Sequence, residues 1–212
     1  MAAVPSPVRK RPRRTQAERS ALSEDRLMEA ALKLIVERGY DRTSLQAIGD
    51  EAGYSRGLVS HRFGSKEGLL WAMCERTFAA WRTESLAPRL GDRVGVEALH
   101  ATLAAMRTAM QQAPGTMRAF YALLFESLGP LDVLRPKVAA FHRRERKQIA
   151  GRIAAGVAAG SVRADVDPER AAALFLAMVR GAAYQWLLDP RGVDVASLYD
   201  AVAEAVERTL RP

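Results

Sequence analysis

The stretch from Gly53 to Leu70 reads GYSRGLVSHRFGSKEGLL and holds two helix-start signals, Ser55 and Ser65, only ten residues apart. A serine at the start of a helix satisfies one of the free first-turn N–H groups, so little more than two turns of helix fit between these two. A helix that short buries little and is marginal alone. It nevertheless carries Arg56, Ser60, His61 and Arg62, polar groups that add nothing to a core. Neighbouring helices must hold it, and its polar side must face something other than the fold.

Those neighbours are legible in the periodicity. Apolar residues recur at helical spacing almost throughout, with no alternating strand pattern, which predicts an all-α protein. A first helix is expected from about Ser23 to Arg38, with Leu27, Ala31, Leu34 and Ile35 inward and Gly39 as a left-handed cap. The second is expected to start at Thr43, the N-cap of a capping box closed by Gln46, with Leu45, Ile48 and Ala52 buried. Ser55 caps the third, in which Val59 and Phe63 face inward. Ser65 caps the fourth, which places Glu67 in the favourable first turn and runs to a stop near Pro88. Further helices are expected at 96–112, 116–128, 133–159, 168–188 and 194–210, the fourth of these opened by Asp167-Pro168. The chain thus divides into a flexible basic arm (1–20), a small helical domain (21–66) and a larger helical body (67–212).

Composition narrows the chemistry. Residues 1–20 hold six basic side chains against Glu18 alone, so most of the net charge of +8 lies in a tenth of the chain. This Pro-punctuated segment reads either as a solubilising tail or as an arm that follows nucleic-acid phosphates. The longest wholly apolar run, Ala171–Val179, is nine residues, against roughly 20 for a membrane span. No apolar segment follows the basic start, so neither a secretory signal nor a membrane partner is expected, and the expected location is the cytoplasm. One cysteine, Cys74, rules out an internal disulfide framework or a cysteine zinc site. With three histidines (His61, His100, His142), no metal cluster, acid–base pair or nucleophile–base pair can be assembled, so no cofactor and no enzymatic activity are expected.

Helices two and three are joined by a tight turn at Gly53-Tyr54, which makes them cross steeply as a helix-turn-helix. With one face of the third helix committed to packing, Arg56, Gly57, Leu58, Ser60, His61 and Arg62 remain near its start and outer surface. A two-turn helix with such donors fits a major groove about 12 Å wide, and only its first turns need reach base edges. Arg56 is the first candidate for reading a guanine. Lys66 and the start of helix four, with Thr43 and Ser44 opening helix two, are candidates for phosphate contacts. Ser55 and Tyr54 stand beside them, the tyrosine either leaning on the DNA backbone or packing the turn.

The run TSLQAIGDEAGYSRGLVSHRFGSKEGLL, residues 43–70, resembles the DNA-binding region of the TetR family of bacterial transcriptional regulators. The close resemblance reaches from helix one into helix four. Beyond it the chain is similar in helix order and in GSVRADVDPERAA at 160–172, which resembles a subgroup of ligand domains that includes the choline-pathway repressors. The resemblance implies a homodimer on double-stranded operator DNA, with recognition helices in successive major grooves, controlled by a small apolar or amphipathic effector in each body. Gly49 departs from the family's usual alanine, at roughly 1 kcal/mol of helix propensity, offset by closer packing. Ser60 stands where a tyrosine is usual, and Arg62 where a histidine or tyrosine is usual.

In the larger body, Phe78, Trp81, Met106, Met110, Phe120, Phe125, Met178 and Tyr184 read as core from their spacing alone; the resemblance makes them candidate pocket residues. Glu126, a lone charge in FYALLFESL, either pairs with an arginine such as Arg180 or grips a ligand. The run His142–Lys147 reads as a solvated face and Cys74 as packing. Helices over 168–210 carry small residues and an apolar stripe, Val195, Leu198, Val202, Val206 and Leu210, that one monomer is not expected to cover; two copies would form a four-helix bundle across a two-fold axis. The rival to a ligand-responsive repressor is a constitutive or architectural DNA-binding protein with a filled core.

Overall fold

A computed structural model describes residues 15–212, so the first fourteen residues of the expected arm lie outside it. Among the described residues there is no strand. Two compact units divide between Ala72 and Met73, beyond the expected boundary at 66 and within a helix.

The first unit contains α1 (Gln16–Arg38), α2 (Leu45–Ala52), α3 (Arg56–Phe63) and the beginning of α4 (Lys66–Trp81). Leu27, Ala31 and Leu34 of α1, Ile48 of α2, Val59 of α3 and Leu69 and Trp71 of α4 are buried and make its core. α1 starts seven residues earlier than its apolar pattern suggests, because Thr15 and Glu18 form a reciprocal capping box: the Thr15 hydroxyl accepts from the Glu18 N–H at 3.2 Å, and the Glu18 carboxylate accepts from the Thr15 N–H at 2.7 Å. Residues 16–20, expected in the arm, are therefore helical. Gly39 ends α1 at φ 83°, ψ 161°, a conformation open to glycine but not the left-handed helical one.

The cap of α2 also differs from expectation. The Thr43 N–H donates to the Tyr40 carbonyl at 3.1 Å, closing a turn that swings its side chain inward, where the hydroxyl donates to the Gly39 carbonyl at 2.9 Å. Ser44, the last extended residue, is the N-cap and accepts from the Ala47 N–H at 3.1 Å. Gln46 donates to Asp50 rather than reaching back. Pro88 does not end helix four. A wide π turn at Arg82–Leu86, with the Ala87 N–H bonded to the Arg82 carbonyl, leads into α5 (Ala87–Leu90), and the run ends at Gly91. The wide turn lies just ahead of Pro88, whose ring would crowd the carbonyl four residues back in a regular helix.

The second unit continues with α6 (Gly95–Gln112), α7 (Pro114–Glu126), a 3-10 turn at Asp132–Leu134, α8 (Arg135–Ala158), α9 (Pro168–Leu188) and α10 (Val195–Leu210). α8 packs on α6 and α9, and α10 on α6 and α9. Phe78 organises an aromatic cluster, stacked on Phe120 at 5.8 Å and edge-on to Phe141 at 4.8 Å. The start of α6 crosses the end of α8 through two glycines: a Cβ on Gly156 would run into the Gly95 Cα and stand 2.8 Å from its N. Asp167 caps α9 as expected, accepting from the Glu169 and Arg170 N–H groups.

Of the stripe expected to be left wet in a monomer, Val195, Val202, Val206 and Leu210 are buried within the unit and Leu198 is half-buried, because α10 turns that stripe onto α6 and α9. The uncovered apolar face belongs instead to α9, where Leu174, Tyr184 and Leu188 are 56%, 45% and 68% exposed. α9 is the one helix among the described residues long and apolar enough to cross a membrane. Its opposite side, with Ala172, Phe175, Val179 and Ala183, is core.

Two outcomes follow from this packing. Gly156→Ala should lower stability by about 1–3 kcal/mol, the usual cost of forcing atoms into a filled contact, read as a shift in the denaturant midpoint. His142 of α8 is held neutral by burial and by the nearby Arg180 and Arg146, its pKa pushed down to about 4. The unfolded chain takes up this proton near pH 6.5 and the folded one resists it, so the stabilisation is present above pH 6.5 and is lost as pH falls towards 4. The melting temperature should drop over that window, and less steeply in His142→Gln.

Candidate functional site

The turn between α2 and α3 is tight for a chemical reason. Gly53 takes the left-handed conformation (φ 76°, ψ 31°), and the Tyr54 N–H donates to the Gly49 carbonyl at 2.8 Å. A Cβ on Gly49 would stand 2.7 Å from the Tyr54 carbonyl oxygen; glycine there lets the turn close against α2. Ser55 then caps α3, accepting from the Leu58 N–H at 3.2 Å. Val59 is fully buried, which fixes the rotation of α3 and turns Arg56, Gly57 and His61 to the surface, with Leu58 and Ser60 half-buried. α3 contains no acidic residue. Ser44, at the N-terminus of α2, is exposed as well.

Three of the expected contact residues make bonds within the first unit. Arg62 turns inward and donates to Ser20 and, at 2.7 Å, to the Glu24 carboxylate, so it braces α3 against α1 with its charge compensated. Thr43 is 1% exposed and its hydroxyl is used by Gly39. Lys66 donates to the Tyr40 carbonyl at 2.9 Å and lies 3.9 Å over the Tyr40 ring. The Tyr40 hydroxyl in turn donates to Glu67 at 2.9 Å. The Glu67 carboxyl is held below its usual range by its own backbone N–H, then by Ser65 and Tyr40, so the start of α4 already has an anion. Tyr54 and Leu58 border a shallow groove with Gln16, Arg19 and Ser23 of α1, of which Gln16 and the cationic Arg19 were expected in the arm.

Two voids among the described residues of the second unit share a wall. An open groove of about 920 Å³ lies along the Arg82–Leu86 turn, α5 and α8. A smaller cavity of about 60 Å³ is lined by Trp81, Leu99, Met106 and Phe175, together with Glu145 and Arg180. Phe78, Leu86, Leu90, Gln148 and Arg152 line both. Burial raises the Glu145 carboxyl pKa against the opposing pull of Arg82, Arg180 and Arg144. Glu145 Oε1 and Arg180 Nε and Nη1 are buried without a hydrogen-bond partner, while the buried Tyr121 and Tyr199 hydroxyls face each other. Arg180 stands 5.1 Å from the Tyr121 ring centre.

Of the expected pocket residues, Phe78, Trp81 and Met106 line the cavity, and Phe120 borders a small adjoining void with Met117. Met110 is buried core, and Met178 is half-buried and lines neither void. Phe125 and Tyr184 pack edge-on to each other at 5.2 Å, and Glu126 is exposed at the end of α7. The polar side chains lining the cavity are Thr102, Glu145, Gln148, Arg152 and Arg180, none of them expected there, Arg180 having been considered only as a partner for Glu126. Glu145 was hidden in a run read as a solvated face, of which only Arg143, Arg144 and Lys147 are exposed. The spacing of Phe141, Glu145, Gln148 and Arg152 is helical and could have placed the glutamate on the inward side. Cys74 is partly buried, and desolvation pushes its thiol up to about 12, which leaves it protonated and unreactive.

Comparison with known proteins fits this arrangement. Residues 27–73 match "Bacterial regulatory proteins, tetR family", and residues 95–211 match "BetI-type transcriptional repressor, C-terminal". The chain is 39% identical over 77 residues to the HTH-type transcriptional regulator CymR of Pseudomonas putida, covering 36% of each chain. It is 31% identical over 123 residues to the HTH-type transcriptional regulator BetI of Rhizobium meliloti, covering 58% of this chain and 60% of BetI. The matched segments thus span less than two thirds of these relatives. Among solved structures, SmeT of Stenotrophomonas maltophilia, in its triclosan complex, superposes with a TM-score of 0.72 at 20% identity over 90% of this chain and 92% of that one. With both the helix-turn-helix unit and more than half of the chain beyond it matched, this protein belongs to the TetR family of bacterial regulatory proteins.

Proposed function

We propose that the protein is a transcriptional repressor that binds operator DNA as a homodimer and is released by a small-molecule effector. The observation that carries the reading is the α2–α3 unit: a short helix pinned by Val59, free of acidic residues, with Arg56 and His61 on its exposed side. Arg56 supplies the planar donor pair suited to a guanine edge, and Gly57 lets the backbone approach closely. Ser44, Ser55 and Tyr54 are positioned for phosphates, which set register without reading sequence. Lys66 retains N–H donors beyond the one given to Tyr40 and serves the same end. Arg62 and Thr43 support the frame.

The uncovered face of α9, with Leu174, Tyr184 and Leu188 in line with the small residues Ala177 and Gly181, is the dimer surface of this reading. Two such faces packed together bury what one copy leaves wet. Paired heads then meet half-sites about 34–36 Å apart or a multiple of that. The cavity in the second unit serves the effector, as the triclosan complex of SmeT supports for a relative in fold. Its wall includes the π turn that continues α4, the helix within which the two units divide. An effector that binds one position of this segment better than another biases the population of DNA-competent dimers. Such a regulator works in the cytoplasm.

Fluorescence anisotropy on the DNA flanking the protein's own gene, against a scrambled duplex, tests the reading. Preference for the native duplex that survives moderate salt is the expected result; equal binding lost steeply with salt leaves only the phosphate contribution and favours a constitutive, architectural role. Arg56→Ala should weaken specific binding by about 1–3 kcal/mol while leaving the scrambled duplex less affected. Leu174→Asp should convert the dimer to monomer in sedimentation velocity and weaken operator binding with it.

A further inference from the structure

We propose that the effector is an amphipathic carboxylate, its anionic head taken by Arg180 and its apolar body lying along Trp81, Leu99, Met106 and Phe175. This rests on the reading of the second unit as effector-binding. Arg180 lines the cavity with Nε and Nη1 buried and unpartnered. A buried charged donor left unmade is destabilising, and a guanidinium presents two parallel N–H groups that match a carboxylate. An arginine that served only the fold would have its donors satisfied. Glu145, the one acidic residue lining the cavity, lies near enough to feel the charge of Arg180, but its Oε1 accepts none of these donors.

The groove behind the shared wall favours the same ligand class. Arg82, Arg144 and Arg152 line it against the single acid Glu75, which Arg144 approaches at 3.3 Å. Arg152 donates to the Arg93 carbonyl, which holds the side chain in place without cancelling its charge. A concave surface of one sign concentrates the opposite ion, so this face gathers anions. A cationic ligand would have to pass three arginines and then sit beside a fourth, with Glu145 as the one acid lining the cavity to meet it. The cavity of about 60 Å³ is too small for an organic acid on its own, and the groove of about 920 Å³ is not. Displacement of Phe78 and Leu86 joins the two. Leu86 sits in the π turn, a widened backbone of the kind found at functional sites. The apolar body then replaces those side chains against the core while the head reaches Arg180.

The test uses the full chain and three probes with one eight-carbon tail: octanoate, 1-octanol and octylammonium, each titrated by calorimetry and added to the operator complex. Octanoate is expected to bind at least tenfold more tightly than either of the others and to release DNA. In Arg180→Met that preference should vanish, so that octanoate binds no better than octanol, while the ligand-free protein keeps a cooperative melting transition, Glu145 losing one of the three arginines that draw on it. Arg180→Lys should retain part of the preference. Octanol or octylammonium binding as tightly as octanoate overturns the carboxylate assignment and leaves the effector cavity standing. A lower melting temperature in Arg180→Met with the octanoate preference intact shows that Arg180 serves the fold alone, and also overturns it. If none of the probes binds or shifts the melting temperature, the cavity reading fails and the proposal with it.

Discussion

An eight-residue helix cannot persist in water by itself, and the first unit depends on how α3 is held. Its one fully buried side chain, Val59, meets a core supplied by α1, α2 and α4. Burying such a side chain contributes about 1.5–3 kcal/mol, too little alone to fix the orientation of a helix. The remainder comes from polar fasteners: Ser55 on the Leu58 N–H, Arg62 on Glu24, and the closed turn at Gly49, Gly53 and Tyr54. Apolar packing sets which side is in, and these bonds set the rotation. Because the fasteners use Arg62 and the Thr43 hydroxyl, the free donors on the outer side are those near the start of α3.

The second unit is built on the opposite economy of polar groups. Its helices are packed tightly where they cross, as Gly95 against Gly156 shows, yet its centre holds several buried polar atoms without partners. Native interiors rarely leave such atoms unmade, and functional sites are where consistency between local and global preferences gives way. Here the unmade bonds, the wide π turn and the shared wall between groove and cavity fall in one place. A fold optimised for stability alone would fill this region with hydrocarbon; in the proposed function these donors meet the effector.

The two units differ in what their surfaces ask for. On α3 the exposed groups, Arg56, Gly57 and His61, are cationic or neutral, which suits the polyanion of the proposed function. On α9 the exposed groups are Leu174, Tyr184 and Leu188 on a helix whose other side is already core. Leaving that face in water carries a hydrophobic penalty that another apolar surface relieves; in the proposed dimer that surface is α9 of the second copy.

The amino-acid sequence by itself determined the all-α class, most helix spans, the helix-turn-helix and its family, because periodicity, capping serines and glycines act over a few residues and survive without tertiary context. Asp167-Pro168, Ser55 and Ser65 cap where local chemistry says they should. It did not determine which of two adjacent hydroxyls, Thr43 or Ser44, would cap α2, since that depends on a turn back to Tyr40. Nor did it show that Pro88 would be carried through a π turn, or that α10 would turn its stripe inward and leave α9 uncovered. The polar groups of the cavity were the least legible. Glu145 sits among charged neighbours and Arg180 in an apolar helix, and which side each takes is set by packing among α6, α8 and α9. Only the tertiary structure decides that, because burial is a property of neighbours brought together from distant parts of the chain.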